Sequence, residues 1–130
     1  MAVRVFHKDN PDIKLPLISK DARFIVWLGA GAETANMNYV VMEPGEENIP
    51  HIHEYSEDSI YIIEGSGTVK DFDNDRILDF RQGQVIHVPP GVKHAVRADK
   101  NVKVISVGGP CPADKILLKK AGVLPEKYEF

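Results

Sequence analysis

The sequence predicts an all-β chain folded as an antiparallel sandwich or barrel. Short β-prone segments recur from end to end at near-regular spacing. Gly, Pro, Asn and Asp punctuate them, and only one stretch, close to the C-terminus, carries a helical pattern. Many short strands with turn residues between them are the signature of sheets that pack on each other or close into a barrel.

Taken in order, residues 3–6 form a first expected strand, ended by His7-Lys8-Asp9-Asn10-Pro11. Residues 23–28 form a stronger one, stopped by Gly29-Ala30-Gly31-Ala32, and residues 38–42 run into Glu43-Pro44-Gly45. The region of His51 comes next, then strands at 59–63 and 68–72. Asp73-Asn74-Asp75 marks a hairpin, because Asn and Asp tolerate left-handed backbone and form Asx turns, and residues 76–80 return from it. Residues 84–88 lead into Pro89-Pro90-Gly91, followed by strands at 94–97 and 102–107, the last ending at Gly108-Gly109-Pro110. Pro112-Ala113-Asp114 can start a helix over 115–121, with Gly122 as its stop. The expectation is one domain over 1–130: an N-terminal arm (1–19), a barrel (about 20–110) and a C-terminal helical tail (111–130).

Bulk properties exclude several classes of function. The chain of 130 residues is 43% hydrophobic and 27% charged, ordinary for a soluble globular domain. Sixteen Lys and Arg against nineteen Asp and Glu leave no basic excess to bind a phosphate backbone, so nucleic acid is not an expected partner. Apolar runs such as 24–28 and 60–63 are far too short to span a bilayer. The first residues are charged early and lack the apolar core of a signal peptide, so a cytoplasmic location is expected. The lone Cys111, in a Gly-Gly-Pro-Cys-Pro connector, excludes an internal disulfide and is expected to be inert.

The chemistry concentrates between Gly45 and Gly65. His51-Ile52-His53 places two imidazoles on one side if the chain is extended there, with Ile52 opposite. The acidic pair Glu57-Asp58 and a β-branched run, 60–63, follow. Strand parity sets Asp58, Ile60 and Ile62 on one face and Glu57, Ser59 and Tyr61 on the other. Two imidazoles and a carboxylate on one face can hold a transition metal.

Five residues separate Gly45 from His51, four separate His53 from Asp58, and six separate Asp58 from Gly65. Downstream, Gly83 is followed by five residues, then Pro89, one residue, Gly91, two residues and His94. Together these resemble the two motifs of the cupin superfamily, Gly-x5-His-x-His-x3,4-Glu-x6-Gly and Gly-x5-Pro-x-Gly-x2-His-x3-Asn. The resemblance implies a small antiparallel (jelly-roll-like) β-barrel. It also implies one divalent transition metal (Mn, Fe, Ni, Cu or Zn) held by His51, His53, His94 and Asp58, with Glu57 the alternative carboxylate. The sequence departs from the pattern twice: the carboxylate is an aspartate, one methylene shorter, and Ala98 replaces the final Asn.

His87 and Tyr39 are the candidate catalytic side chains beside the ion, although each also fits a purely structural role. Core packing is expected for Trp27, Tyr61 and Phe80, a surface position for His7, and a solvated strand end, or else a carboxylate anchor, for Arg97. Three functions fit. The first is a metal-dependent, dioxygenase-like enzyme acting on a small oxygenated molecule. The second is a metal-assisted isomerase, epimerase or lyase on a sugar or hydroxy-acid. The third is a non-catalytic binding module. Small barrels of this kind pair by exchanging N-terminal arms, and the apolar Val3, Val5 and Phe6 fit an edge-strand role, so a homodimer is expected. Light scattering should return twice the chain mass; a monomer at every accessible concentration would remove the expectation.

Overall fold

In the computed structural model, which describes residues 2–124, nine strands and one short α-helix form two facing antiparallel sheets. The strands are β1 (Ile13–Lys14), β2 (Asp21–Val26), β3 (Met37–Met42), β4 (Glu57–Glu64), β5 (Ser66–Asp71), β6 (Arg76–Arg81), β7 (Val85–Val88), β8 (His94–Ala98) and β9 (Val104–Cys111). The helix α1 is Lys115–Lys120. The larger sheet runs β1-β2-β3-β9-β4-β7 and the smaller β6-β5-β8. Every pairing is antiparallel.

Alternation builds the interior. On β4, Asp58 and Ile62 are buried while Glu57, Ser59 and Tyr61 face out. Met42, Ile62, Val69, Phe80, Ile86, Val88, Val96, Ala98 and Val104 pack between the sheets as one apolar cluster. A second cluster, at the other end of the interior, joins Ala22, Phe24, Trp27 and Leu28 to Ala113 and Leu118 of the C-terminal segment. Helix α1 therefore seals one mouth of the barrel. Its first turn is fixed by Asp114, whose Oδ1 accepts from Leu117 N at 3.1 Å, and the chain leaves it at Gly122 with φ of 73°.

Two expectations need correction. Residues 3–6 form no strand: they have no regular structure, and Val3 and Val5 are almost fully exposed. A polar anchor holds this arm instead, Arg4 Nη1 donating to the Ala30 carbonyl, and the first strand lies further on at Ile13–Lys14. The last strand does not stop at Gly108-Gly109-Pro110 but runs through it to Cys111. Glycine is what permits this. At Gly108, φ is 138°, and a Cβ would stand 2.0 Å from the Ser59 carbonyl oxygen on β4, so a bare backbone lets the strands close up.

Core packing holds for Trp27 and Phe80, at 3% and 5% exposure, with Trp27 Nε1 donating to Asp12 at 2.9 Å. It fails for Tyr61, which is 46% exposed because parity turns it outward. Among the described residues no helix is long and apolar enough to cross a membrane. Truncating Ile62, 1% exposed at the centre of the first cluster, to Ala should lower unfolding stability by about 2–5 kcal/mol. Urea denaturation will read this, and a loss below half a kcal/mol would contradict this picture of the core.

Candidate metal centre

The segment carrying the first two histidines is a loop laid against β8 rather than a regular strand. Gly45 N donates to Asp99 O, Asn48 N to Val96 O, and His51 N and His94 N each donate to the other's carbonyl at 3.0 Å. The buried Asn48 side chain returns the bond, its Oδ1 accepting from Val96 N at 2.8 Å. Isolated bridges Glu47↔Arg97 and His51↔His94 complete the ladder. Beyond it, Gly91 N donates to the His53 carbonyl, which ties the loop to the turn that delivers His94. A local apolar code does not specify this segment; its backbone bonds to β8 do.

The result is convergence. His51, His53, Asp58 and His94 each offer one ligand atom, and those atoms lie within 4.8 Å of one another. Asp58 Oδ2 stands 3.5 Å from His53 Nε2 and 3.7 Å from His94 Nε2. Two ligands about 2.1 Å from a shared ion stand roughly 3–4 Å apart, so the spacing fits. Glu57 is on the outer face, where its Oε1 meets His87 Nε2 at 2.5 Å. Parity therefore gives the inward place to Asp58.

Each imidazole is turned by a bond on its far nitrogen. His51 Nδ1 donates to Ile49 O at 2.6 Å, and His94 Nδ1 donates to Val92 O at 2.9 Å. A carbonyl only accepts, so both rings must carry the proton on Nδ1 and present Nε2 to the centre. His53 Nδ1 donates to Asp114 Oδ2 at 2.7 Å. His94 Nε2 and Asp58 Oδ1 are buried without a hydrogen-bond partner. Buried polar atoms are costly when unpaired; His94 Nε2 fits an ion that takes its lone pair, with Asp58 facing the same ion through Oδ2.

The electrostatics agree. Burial, with the neighbouring His94 adding to it, pushes His51 down to about 4, so it is neutral near pH 7. Burial also works against charge on His53, but Asp114 and Asp58 outweigh it and hold His53 up to about 9. Asp58 is opposed by burial too, yet His53 and His94 bring it down to about 2. Asp114 is lowered in the same way by His53 and the Leu117 N–H. In the ion-free protein a proton thus sits on His53 between two carboxylates, where a divalent cation would replace it.

Asp114 escaped the sequence reading. It stands 61 residues beyond His53 and its only local signal is that of a helix cap. Four expected ligands come together, whereas the two expected catalytic residues do not join them. His87 is 51% exposed at its side chain, on the outer face. Tyr39 lies outside the same sheet, beneath the Arg23 guanidinium at 5.3 Å. Neither lines the cavity around the four ligands. Arg97 is exposed on β8, and Cys111 is exposed, its Sγ 3.2 Å from Thr34 O.

The cavity has a volume of about 110 Å³. Its walls are largely apolar, with Leu15, Leu17, Phe24, Val40 and Ile60 among them, and Leu117 of α1 closes one side. Enclosed apolar pockets with a few convergent polar groups are where small molecules bind.

Two facing antiparallel sheets enclosing three histidines and an aspartate define the class: a small β-barrel with a candidate metal site in its interior. The chain belongs to the cupin family, since residues 38–108, more than half of it, match the family model described as the cupin domain. It is 29% identical over 68 residues to an L-ectoine synthase of Nocardia farcinica (strain IFM 10152), covering 52% of each protein. It is 34% identical over 67 residues to the polyketide synthase CurC of Streptomyces cyaneus, covering 52% of this chain and 42% of that one. The chain spans about half the length of the curated relatives it matches. The polyketide cyclase RemF of Streptomyces resistomycificus superposes with a TM-score of 0.71 at 22% identity, over 88% of this chain and 82% of that one, which establishes the shared fold.

Asp114→Asn keeps a good helix cap but removes the carboxylate behind His53; metal affinity should fall about 10–100-fold, with unfolding stability nearly unchanged. Asp114→Ala should lose in addition about 1 kcal/mol of stability with the cap. Competition against a chromophoric chelator, run beside thermal melts, separates the two effects. Unchanged affinity in both variants would show that Asp114 only caps the helix.

Proposed function

We propose that the chain is a metal-dependent enzyme that acts on a small oxygenated organic molecule by carbonyl activation and proton transfer rather than by oxygen insertion. One observation carries this: three Nε2 atoms and a carboxylate converge on a single point at the end of an apolar cavity, with two of those ligand-bearing side chains holding a buried, unpartnered atom. A divalent ion there would polarise a substrate carbonyl and stabilise negative charge on its oxygen.

The chain's own groups complete the chemistry. His51, His53 and His94 would hold the ion on Nε2 atoms whose rings are fixed by bonds made through Nδ1, so the site is preorganised. Asp58 would be the proton acceptor next to the ion, with Oδ1 free of any partner in the chain. When a proton leaves the carbon beside the carbonyl, its bonding pair forms the enolate and the proton passes to Oδ1. The apolar walls lower the polarity around the centre, which strengthens charge interactions there. The names of two relatives, an L-ectoine synthase and a polyketide synthase, support an enzyme of small-molecule synthesis without deciding the substrate.

The proposal is tested with ortho-hydroxyacetophenone in D2O. The methyl protons beside its carbonyl should exchange faster in the presence of the metal-loaded protein, with no oxygen consumed at an electrode. The double variant His51→Ala/His94→Ala should retain no metal and give only background exchange. Stoichiometric oxygen uptake with cleavage of a carbon–carbon bond would instead favour the dioxygenase-like reading. Full metal retention by the double variant would sink the site.

A further inference from the structure

On the sheet that carries Asp58, the cavity wall also holds two carboxamides. Asn36 precedes β3 by one residue, and Asn38 lies on β3 with 8% exposure. Both line the same cavity as the histidines, and in both the Oδ1 atom is buried without a partner. The orientation of Asn36 is set, since its Nδ2 donates to Pro110 O at 2.9 Å. Leaving two carboxamide oxygens unpaired inside a small barrel is costly, and a native fold that keeps them has a use for them.

Register locates the pair relative to the ion. Pro110, which Asn36 grips, pairs with Asp58. Gly108 pairs with Asn38 on one side and with Ile60, the next inward residue after Asp58, on the other. The Asn38 backbone thus lies two strands from β4, about 10 Å across the sheet, and the Asn36 carboxamide reaches back over the intervening β9, gripping the residue that pairs with the ligand aspartate. Gly109 makes the room: a Cβ there would stand 3.0 Å from Asn38 Nδ2 and 3.2 Å from Asn36 Nδ2.

We propose that Asn36 and Asn38 form an acceptor subsite that reads hydroxyl groups at the end of the substrate remote from the metal. The ligand class is then a compact hydroxylated ring: a ketone or enol oxygen at the ion, an apolar body between Leu15, Phe24 and Leu117, and a hydroxyl donating to the carboxamides. This rests on the metal-centred function above and adds the chemistry of the far end. A free hydroxyl donates its one proton to one of these acceptors, whereas a ligand lacking it leaves both desolvated.

Two aromatic ketones separate the cases, each titrated calorimetrically into the metal-loaded full chain with metal content measured beside it. Resacetophenone carries the chelating ortho-hydroxyketone and a second hydroxyl para to the carbonyl; ortho-hydroxyacetophenone lacks the second. Wild type should prefer resacetophenone by about tenfold or more, the value of one good hydrogen bond to a buried acceptor. Asn38→Leu and Asn36→Leu should each reduce that preference toward twofold while keeping the metal and the affinity for ortho-hydroxyacetophenone. Asn38→Asp, which keeps an acceptor, should retain the preference. Asn38→Leu should melt no lower than wild type, since it removes an unsatisfied group, whereas a structural asparagine would lower the melt. Equal affinities for the two ketones in wild type, with metal bound, would overturn the subsite and leave the metal-centred function standing. Unaltered preference in the Leu variants would overturn it equally. Failure of both ketones to bind the metal-loaded protein would overturn both proposals.

Discussion

The arrangement depends on three hydrogen bonds made away from the centre they serve. His51 and His94 spend Nδ1 on the carbonyls of Ile49 and Val92, and His53 spends its Nδ1 on Asp114. An imidazole with its outer nitrogen committed has one tautomer and one useful lone pair, and here all three lone pairs point to the same place. Without those anchors the rings would be free to turn, and a four-ligand cluster would be an accident of rotamers. Two of the acceptors are backbone, so the site is built largely from the path of the chain: the loop at 45–53, the turn after β7 and the start of β8.

The third acceptor joins the site to the C-terminal segment. Asp114 divides its two oxygens, one capping α1 through Leu117 N and the other holding His53. Leu118 is buried in the second apolar cluster, and Leu117 lines the cavity. The helix that closes the barrel mouth thus also orients a ligand, so the docking of the last described residues and the order of the centre are physically linked. The Asp58 oxygen and the two carboxamide oxygens are themselves buried without partners, so they matter energetically.

Much of this was legible in the sequence, and the misses have physical reasons. Turn residues at short intervals revealed the strands, and the resemblance of the glycine and proline spacings to the two cupin motifs implied which histidines meet. Parity along β4 sets Asp58 and Glu57 on opposite faces, but the sequence left both as candidate carboxylates; the fold turns Asp58 inward and Glu57 outward. The same parity, applied to β3 and β7, puts Tyr39 and His87 outside. They were singled out as catalytic by residue type, and type says nothing about face. Residues 3–6 carry a strand-like composition, but composition cannot supply a neighbouring strand to pair with. Residues 108–110 look like a terminus because Gly and Pro usually break strands; here Gly108 admits the close approach of β4. Asp114 could not be seen at all, since its tie to His53 is a tertiary contact between residues far apart in sequence. Asn36 and Asn38 were equally silent, being ordinary polar residues until burial leaves their oxygens unpaired.

The central claim is that three histidines present Nε2, with Nδ1 held elsewhere, to one shared ion. Long-range proton–nitrogen correlation NMR of the histidine side chains, recorded before and after one equivalent of Zn2+, tests it directly. The three ligand rings should move together to the metal-bound Nε2, protonated Nδ1 pattern, while His7 and His87 stay in place. Zinc binding that leaves those three rings unshifted, or that engages Nδ1 instead, would contradict the claim.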